Sequence, residues 1–151
     1  MSQLSRRKAA FQARTERGFT LIELMVVVAV IAILASIAVG LYAKLEARAR
    51  VAKAQADTRT LASVLTMYMG HCGALPPSGA EVQGGQCNGS GLSALTVPQQ
   101  NAEGATVGPF VGGVPTQPSG WTPYIAGYVV NANGTFTITT SGDGTVVTAP
   151  Q

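Results

Sequence analysis

Hydrophobic and polar positions divide the chain into stretches of different character. Residues 1–18 are polar and basic, with no sustained apolar period, and read as a disordered leader. Residues 19–43 are almost uninterruptedly apolar. From Leu24 to Ala43 no side chain is charged, and a helix rising about 1.5 Å per residue covers roughly 30 Å over that stretch, the thickness of a hydrocarbon core. Residues 44–69, "KLEARARVAKAQADTRTLASVLTMYM", are rich in Ala, Leu, Lys and Arg and lack Gly and Pro. Leu41, Leu45, Val51, Thr58, Leu61, Leu65 and Tyr68 fall near one helical face. The pattern predicts a helix that leaves the membrane and becomes amphipathic, with Gly70 as its stop and Pro76-Pro77 forbidding continuation.

Beyond Gly70 the chain turns to Gly, Pro, Ser and Thr, with short β-like runs between turn signals. "GLSALTV" at 91–97 has room for one or two helical turns, while "TPYIAGYVV" at 122–130 and "GTFTITT" at 134–140 read as strands joined by "NANG" at 131–134. Phe136 and Ile138 alternate with threonines, giving the second strand one apolar face. A lone hairpin is marginal, so that face needs a cover, and the apolar face of residues 51–68 is available. The predicted fold class is α+β: a long N-terminal helix, transmembrane in its first half and amphipathic in its second, packed on a small antiparallel sheet. The segments are 1–18, 19–43 and 44–151.

Charge changes the picture in one respect. The formal net charge is +3, but every Lys and Arg lies at or before Arg59, while Glu81, Glu103 and Asp143 follow it. The C-terminal half has no basic stripe to follow a phosphate backbone, so no nucleic-acid partner is expected. Arg6, Arg7, Lys8, Arg14 and Arg17 precede the apolar run, and Lys44, Arg48, Arg50, Lys53 and Arg59 follow it, so flanking charge alone does not orient the span. A cleavable secretory signal is an alternative, with Ala35-Ser36-Ile37-Ala38 as its small-residue site, but such h-regions run to only about 7–15 residues. Cys72 and Cys87 are the only cysteines. An even pair in a loop-like region suits a disulfide in an oxidising compartment, which puts the head outside the cytoplasm.

The chemistry of interest sits at the start of the apolar run, where "RGFTLIELMVV" carries a carboxylate, Glu23. An ionised acid inside a bilayer costs on the order of 2.5–3.5 kcal/mol on insertion scales and calls for a cation. "GFTLIELMVVVAVIAILASIAV", Gly18 to Val39, resembles the N-terminal signature of type IV pilins and of the pseudopilins of type II secretion. The resemblance implies that a prepilin peptidase cuts between Gly18 and Phe19 on the cytoplasmic face and methylates the new Phe19 amino group. It further implies a single-pass inner-membrane subunit with a cytoplasmic N-terminus and a periplasmic head. Its partners would be copies of itself, other pilins or pseudopilins, and an inner-membrane assembly platform. Four residues is one helical turn, so the Phe19 amine and Glu23 can neutralise each other within a subunit, or across neighbours offset along the filament, which sets assembly register. Snorkelling of an interfacial glutamate is the alternative. The family's frequent glycine and proline farther along are Ala32 and Gly40 here, which predicts a weaker kink.

The head resembles, in order, the helix end, short second helix and small sheet of the major (G-type) pseudopilin. That protein binds calcium through several carboxylates in its last loop, whereas "SGDGTVVTAPQ" offers only Asp143, which also reads as a Gly-Asp-Gly turn. No other cofactor is implied. His71 beside Cys72 suggests metal, but two cysteines and one histidine fall short of a four-ligand zinc set. Asn88 and Asn133 match the glycosylation pattern, yet both sit in turn-rich sequence. With one histidine and no triad signature around Ser36 or Ser63, a structural subunit and not an enzyme is expected. The first expectation is a pseudopilin of type II secretion, the second a type IV pilus subunit for adhesion, motility or DNA uptake. The rival from another class is a single-span protein whose head binds a ligand as a monomer.

Overall fold

The computed structural model describes residues 18–78 and 87–150; the predicted leader, apart from Gly18, lies outside the described residues. The chain divides into two compact units, Met1–Leu41 and Tyr42–Gln151, and one helix, α1 (Leu21–Cys72), contributes to both. In the first unit, every described residue from Gly18 to Leu41 is exposed. An 18-residue window of α1 reaches a mean hydropathy of 3.0 with none of it buried, long and apolar enough to cross a membrane. Apolar side chains left this bare are at equilibrium in lipid or against other apolar helices, and not in water.

The second unit builds its core on the other end of α1. Ala54, Thr58, Leu61, Val64, Leu65, Tyr68 and Cys72 are buried, at the three- and four-residue spacings of one helical face. Thr58 is tolerated there because its hydroxyl donates to the Ala54 carbonyl at 2.9 Å. Five short strands follow: β1 (Gln99–Gln100) pairs with β2 (Thr106–Val107), and β3 (Tyr128–Val130), β4 (Phe136–Gly142) and β5 (Thr145–Pro150) form an antiparallel sheet with β4 in the centre. A 3₁₀ helix, Leu92–Thr96, lies where one or two helical turns were predicted. Its Leu92 and Leu95 join Leu61, Leu65 and Tyr68 of α1 and Tyr128, Phe136 and Ile138 of the sheet in one buried cluster. The expected cover over Phe136 and Ile138 is thus in place, and the α+β class with it.

Several local expectations are corrected. Gly70 is not the stop: α1 runs on to Cys72, and Gly73 closes it with a positive φ of 72° and an N–H bonded to the Met69 carbonyl at 2.9 Å. Glycine terminates a helix by adopting the left-handed conformation, and an interior glycine merely weakens it. Residues 124–127 form a turn ahead of β3, with the Ala126 N–H on the Pro123 carbonyl at 3.1 Å. Leu41 and Leu45 are exposed at 60% and 52%. In the head, burial begins around Val51 and Ala54, which pack with Trp121 and Val147.

The stretch after the predicted Gly-Asp-Gly turn, to which no element was assigned, is strand β5. Asp143 and Gly144 have φ of 50° and 71°, so they form the two-residue turn with left-handed central residues that joins tightly paired antiparallel strands. Gly142 pairs with Thr145 across it. The predicted "NANG" turn is present between β3 and β4, with the Gly134 N–H on the Asn131 carbonyl and the Asn131 N–H on the Thr135 carbonyl.

Candidate functional site

The N-terminal motif is built around a helix start. Gly18, Phe19 and Thr20 are exposed and lie outside the helix, which begins at Leu21. The Thr20 hydroxyl accepts a hydrogen bond from the Glu23 N–H at 3.3 Å, and the Thr20 carbonyl accepts from the Leu24 N–H at 3.3 Å. Thr20 is therefore the cap residue, with Glu23 at the third helical position. Threonine three residues before glutamate, ahead of an apolar run, is the sequence form of a capping box, and a carboxylate there also meets the positive end of the helix dipole. That signal was present in "TLIE" and gives Glu23 a role that periodicity alone did not reveal. Because Phe19 precedes the cap, its position relative to Glu23 follows from the turn at Thr20 and not from the helical period.

The Gly18–Phe19 bond lies ahead of the helix in exposed chain. A protease must draw its substrate into an extended conformation, and this bond lies in exposed, non-helical chain, with Phe19 83% exposed. A Cβ added at Gly18 would meet nothing within 4 Å among the described residues. Farther along, α1 passes through Ala32 and Gly40 without a break.

The remaining candidates lie in the second unit. Cys72 and Cys87 form a disulfide. His71 is not drawn to a metal: its ring lies against Phe110, centroids 5.7 Å apart, and no cluster of three or more His, Cys, Asp or Glu occurs among the described residues. The Asn133 side-chain oxygen accepts from the Thr135 N–H and hydroxyl, which accounts for this Asn-Gly-Thr as turn chemistry.

Asp143 has a partner set of its own. Its carboxylate accepts from Arg50 Nε at 2.7 Å, from Arg50 Nη2 at 2.9 Å and from Trp121 Nε1 at 2.9 Å. The Arg50 guanidinium, and after it the indole N–H, hold the Asp143 carboxyl well below its ordinary value of 3.8, to about 2. Calcium takes six to eight oxygens and in most sites more than one carboxylate. A lone carboxylate forked by arginine, with both oxygens engaged, does not fit that ion. Sequence reasoning missed Arg50 and Trp121 as partners because they lie 93 and 22 residues from Asp143.

Two tyrosines, one in the turn before β3 and one in β3 itself, tie that segment to α1 and to the chain just after it. The Tyr124 hydroxyl donates to Asp57 at 2.8 Å, and the Tyr128 hydroxyl to the Pro76 carbonyl at 2.7 Å. Burial, joined for Tyr124 by the Asp57 carboxylate, raises both phenols above their ordinary value. A groove of about 1040 Å³ between α1 and β5 is lined by Arg59, Ser63, Met67, Val146 and Thr148 among others, with no acid or histidine among the described lining residues.

Residues 13–39 match the family described as the prokaryotic N-terminal methylation motif. The chain is 51% identical over 45 residues to the type IV major pilin protein PilA of Myxococcus xanthus, covering 30% of this chain and 20% of that protein. It is 35% identical over 85 residues to the type IV major pilin protein PilE1 of Neisseria gonorrhoeae, covering 54% and 40%. It is 42% identical over 57 residues to the type II secretion system core protein G of Pseudomonas aeruginosa, covering 38% and 40%. The chain thus spans two fifths or less of the length of these curated relatives. No solved structure matches. A capped, exposed apolar helix carrying the methylation motif, followed by a small α+β head, makes the chain similar to type IV pilins and to a secretion pseudopilin alike.

Proposed function

We propose that this chain is a structural subunit of a type IV pilin-like filament, cut by a prepilin peptidase between Gly18 and Phe19, methylated at Phe19, and assembled through its N-terminal helix. The observation that carries this reading is the bare apolar helix that opens on Thr20 and Glu23: it has no cover among the described residues, and copies of the same helix would supply one. Packed side by side with an axial offset, the Glu23 carboxylate of one subunit meets the Phe19 amine of the next. A charge pair formed in a low-dielectric surrounding is strong, and an unpaired member is costly, so register follows. The role is structural, not catalytic. Before assembly the subunit sits in the inner membrane with its head in the periplasm, and an inner-membrane platform adds it to the filament.

Within this reading a pseudopilin of a type II secretion machine comes first, on the order of elements in the head and the similarity to a core protein G. A type IV pilus subunit comes second, favoured by the similarity to PilA and PilE1. Intact mass of the membrane-extracted protein tests the processing: the expected species begins at Phe19 and carries one methyl group. Glu23→Ala is expected to insert and be cut but to leave filaments nearly absent by electron microscopy, while Gly18→Val accumulates uncut precursor. A mature protein still beginning at Met1 would remove the basis of the proposal. Loss of protein secretion against loss of surface pili in a deletion strain separates the two branches.

A further inference from the structure

Five basic residues follow the apolar run, which is unexpected for a flank that would face away from the cytoplasm. The structure sorts them. Arg50 is bonded to Asp143, with Glu46 3.8 Å away, and Lys53 is paired with Asp57. Lys44 and Arg48 are exposed and have no acidic partner among the described residues. They are four residues apart within α1, hence stacked on one face, where two like charges repel unless an anion lies between them.

Their height narrows the choice of anion. Ala43 is the last residue of the apolar run; along the helix Lys44 lies about 1.5 Å and Arg48 about 7.5 Å beyond it, whereas Arg59 lies about 24 Å beyond. A headgroup layer is roughly 5–8 Å deep on each side of the core. Lys44 and Arg48 both fall inside it, and Arg59 does not. Tyr42, 65% exposed, stands just before them, where amphipathic rings collect at a membrane surface.

We infer that Lys44 and Arg48 form a docking site for the phosphate of an anionic phospholipid, held between two cations one helical turn apart. The inference rests on the reading that residues 19–43 enter a bilayer. The bound lipid anchors the free subunit at a fixed depth and must be given up when the subunit leaves the membrane for a filament, so the lipid charge of the leaflet tunes assembly.

The test uses the full chain reconstituted in vesicles of phosphatidylcholine with spin-labelled phosphatidylglycerol or spin-labelled phosphatidylcholine as the probe. The wild-type chain is expected to restrict phosphatidylglycerol several-fold more strongly than phosphatidylcholine, with a ceiling near fivefold per charge. The preference should collapse in 1 M salt. Lys44→Gln with Arg48→Gln is expected to lower the preference several-fold, leaving what the basic residues before the span supply, while Arg59→Gln leaves it at the wild-type value. Equal restriction of the two lipids by the wild-type chain, or an unchanged preference in the double variant, would overturn the docking site while leaving membrane anchoring intact. A chain that fails to float with either vesicle would overturn the anchoring reading itself, and the docking site with it.

Discussion

Arg50 grips Asp143 across 93 residues of sequence, Nε to one carboxylate oxygen at 2.7 Å and Nη2 to the other at 2.9 Å. Arg50 belongs to the helix and Asp143 to the turn between β4 and β5, so the forked contact ties the C-terminal hairpin to α1 where a divalent cation might have been sought. Two parallel charge-assisted hydrogen bonds fix orientation as well as distance. The Trp121 indole N–H completes the set.

The fastening is internal, so the head should not respond to calcium. Thermal unfolding of the wild-type chain is expected at the same Tm in calcium and in chelator, while Asp143→Asn lowers it by a few degrees. Acid should reproduce the variant. The Asp143 carboxyl titrates at about 2 when folded, against an ordinary 3.8. Its contribution is therefore complete above about 3.8 and is lost as pH falls towards 2. A Tm that falls less steeply between pH 4 and pH 2 in Asp143→Asn than in wild type is the expected outcome; parallel curves would count against the clamp.

Gly127 is required for a close backbone approach. A Cβ there would lie 1.7 Å from the Thr139 carbonyl oxygen, and the Thr139 N–H already bonds to the Gly127 carbonyl at 2.9 Å. Gly127→Ala must push the turn away from β4 and should cost about 3 kcal/mol or more, at the severe end of overpacking. Gly112→Ala, whose Cβ meets nothing within 4 Å, is the matched control and should be close to neutral in urea unfolding.

The disulfide staples the end of α1 to the stretch leading into the 3₁₀ helix. Its cysteines are 15 residues apart, and closing a loop of that size contributes about 3 kcal/mol in the chain-entropy model. Reduction of the wild-type chain and replacement of both cysteines by serine are each expected to lower the Tm markedly. The serine variant should be the lower of the two, since it leaves a hydroxyl at Cys72, which is fully buried. Unchanged melting after confirmed reduction would show that packing around Leu92 and Leu95 suffices without the bond.

Much of this molecule was legible before any coordinates. Twenty uncharged residues from Leu24 to Ala43 are a one-dimensional property, and so is the 3.6-residue period that brings Thr58, Leu61, Leu65 and Tyr68 to one face. The Thr20 cap was legible too, since Thr-x-x-Glu is a local signal, and Gly-Asp-Gly alone marks Asp143 as a turn residue. Strand β5 was less legible, because its pairing with β4 is a contact between segments that the turn permits and the core decides.

By itself the sequence determined that an apolar helix opens at Thr20, bears one acid in its first turn, and continues into a half-buried amphipathic end. These features depend on neighbours within a few residues, through hydrogen bonds and helical period. Only the tertiary structure decided that Arg50 and Trp121 hold Asp143, that Gly127 must admit the backbone of Thr139, and that Lys44 and Arg48 are left without acids. Each of those depends on which distant segments meet, and contact across tens of residues is set by how the whole core packs.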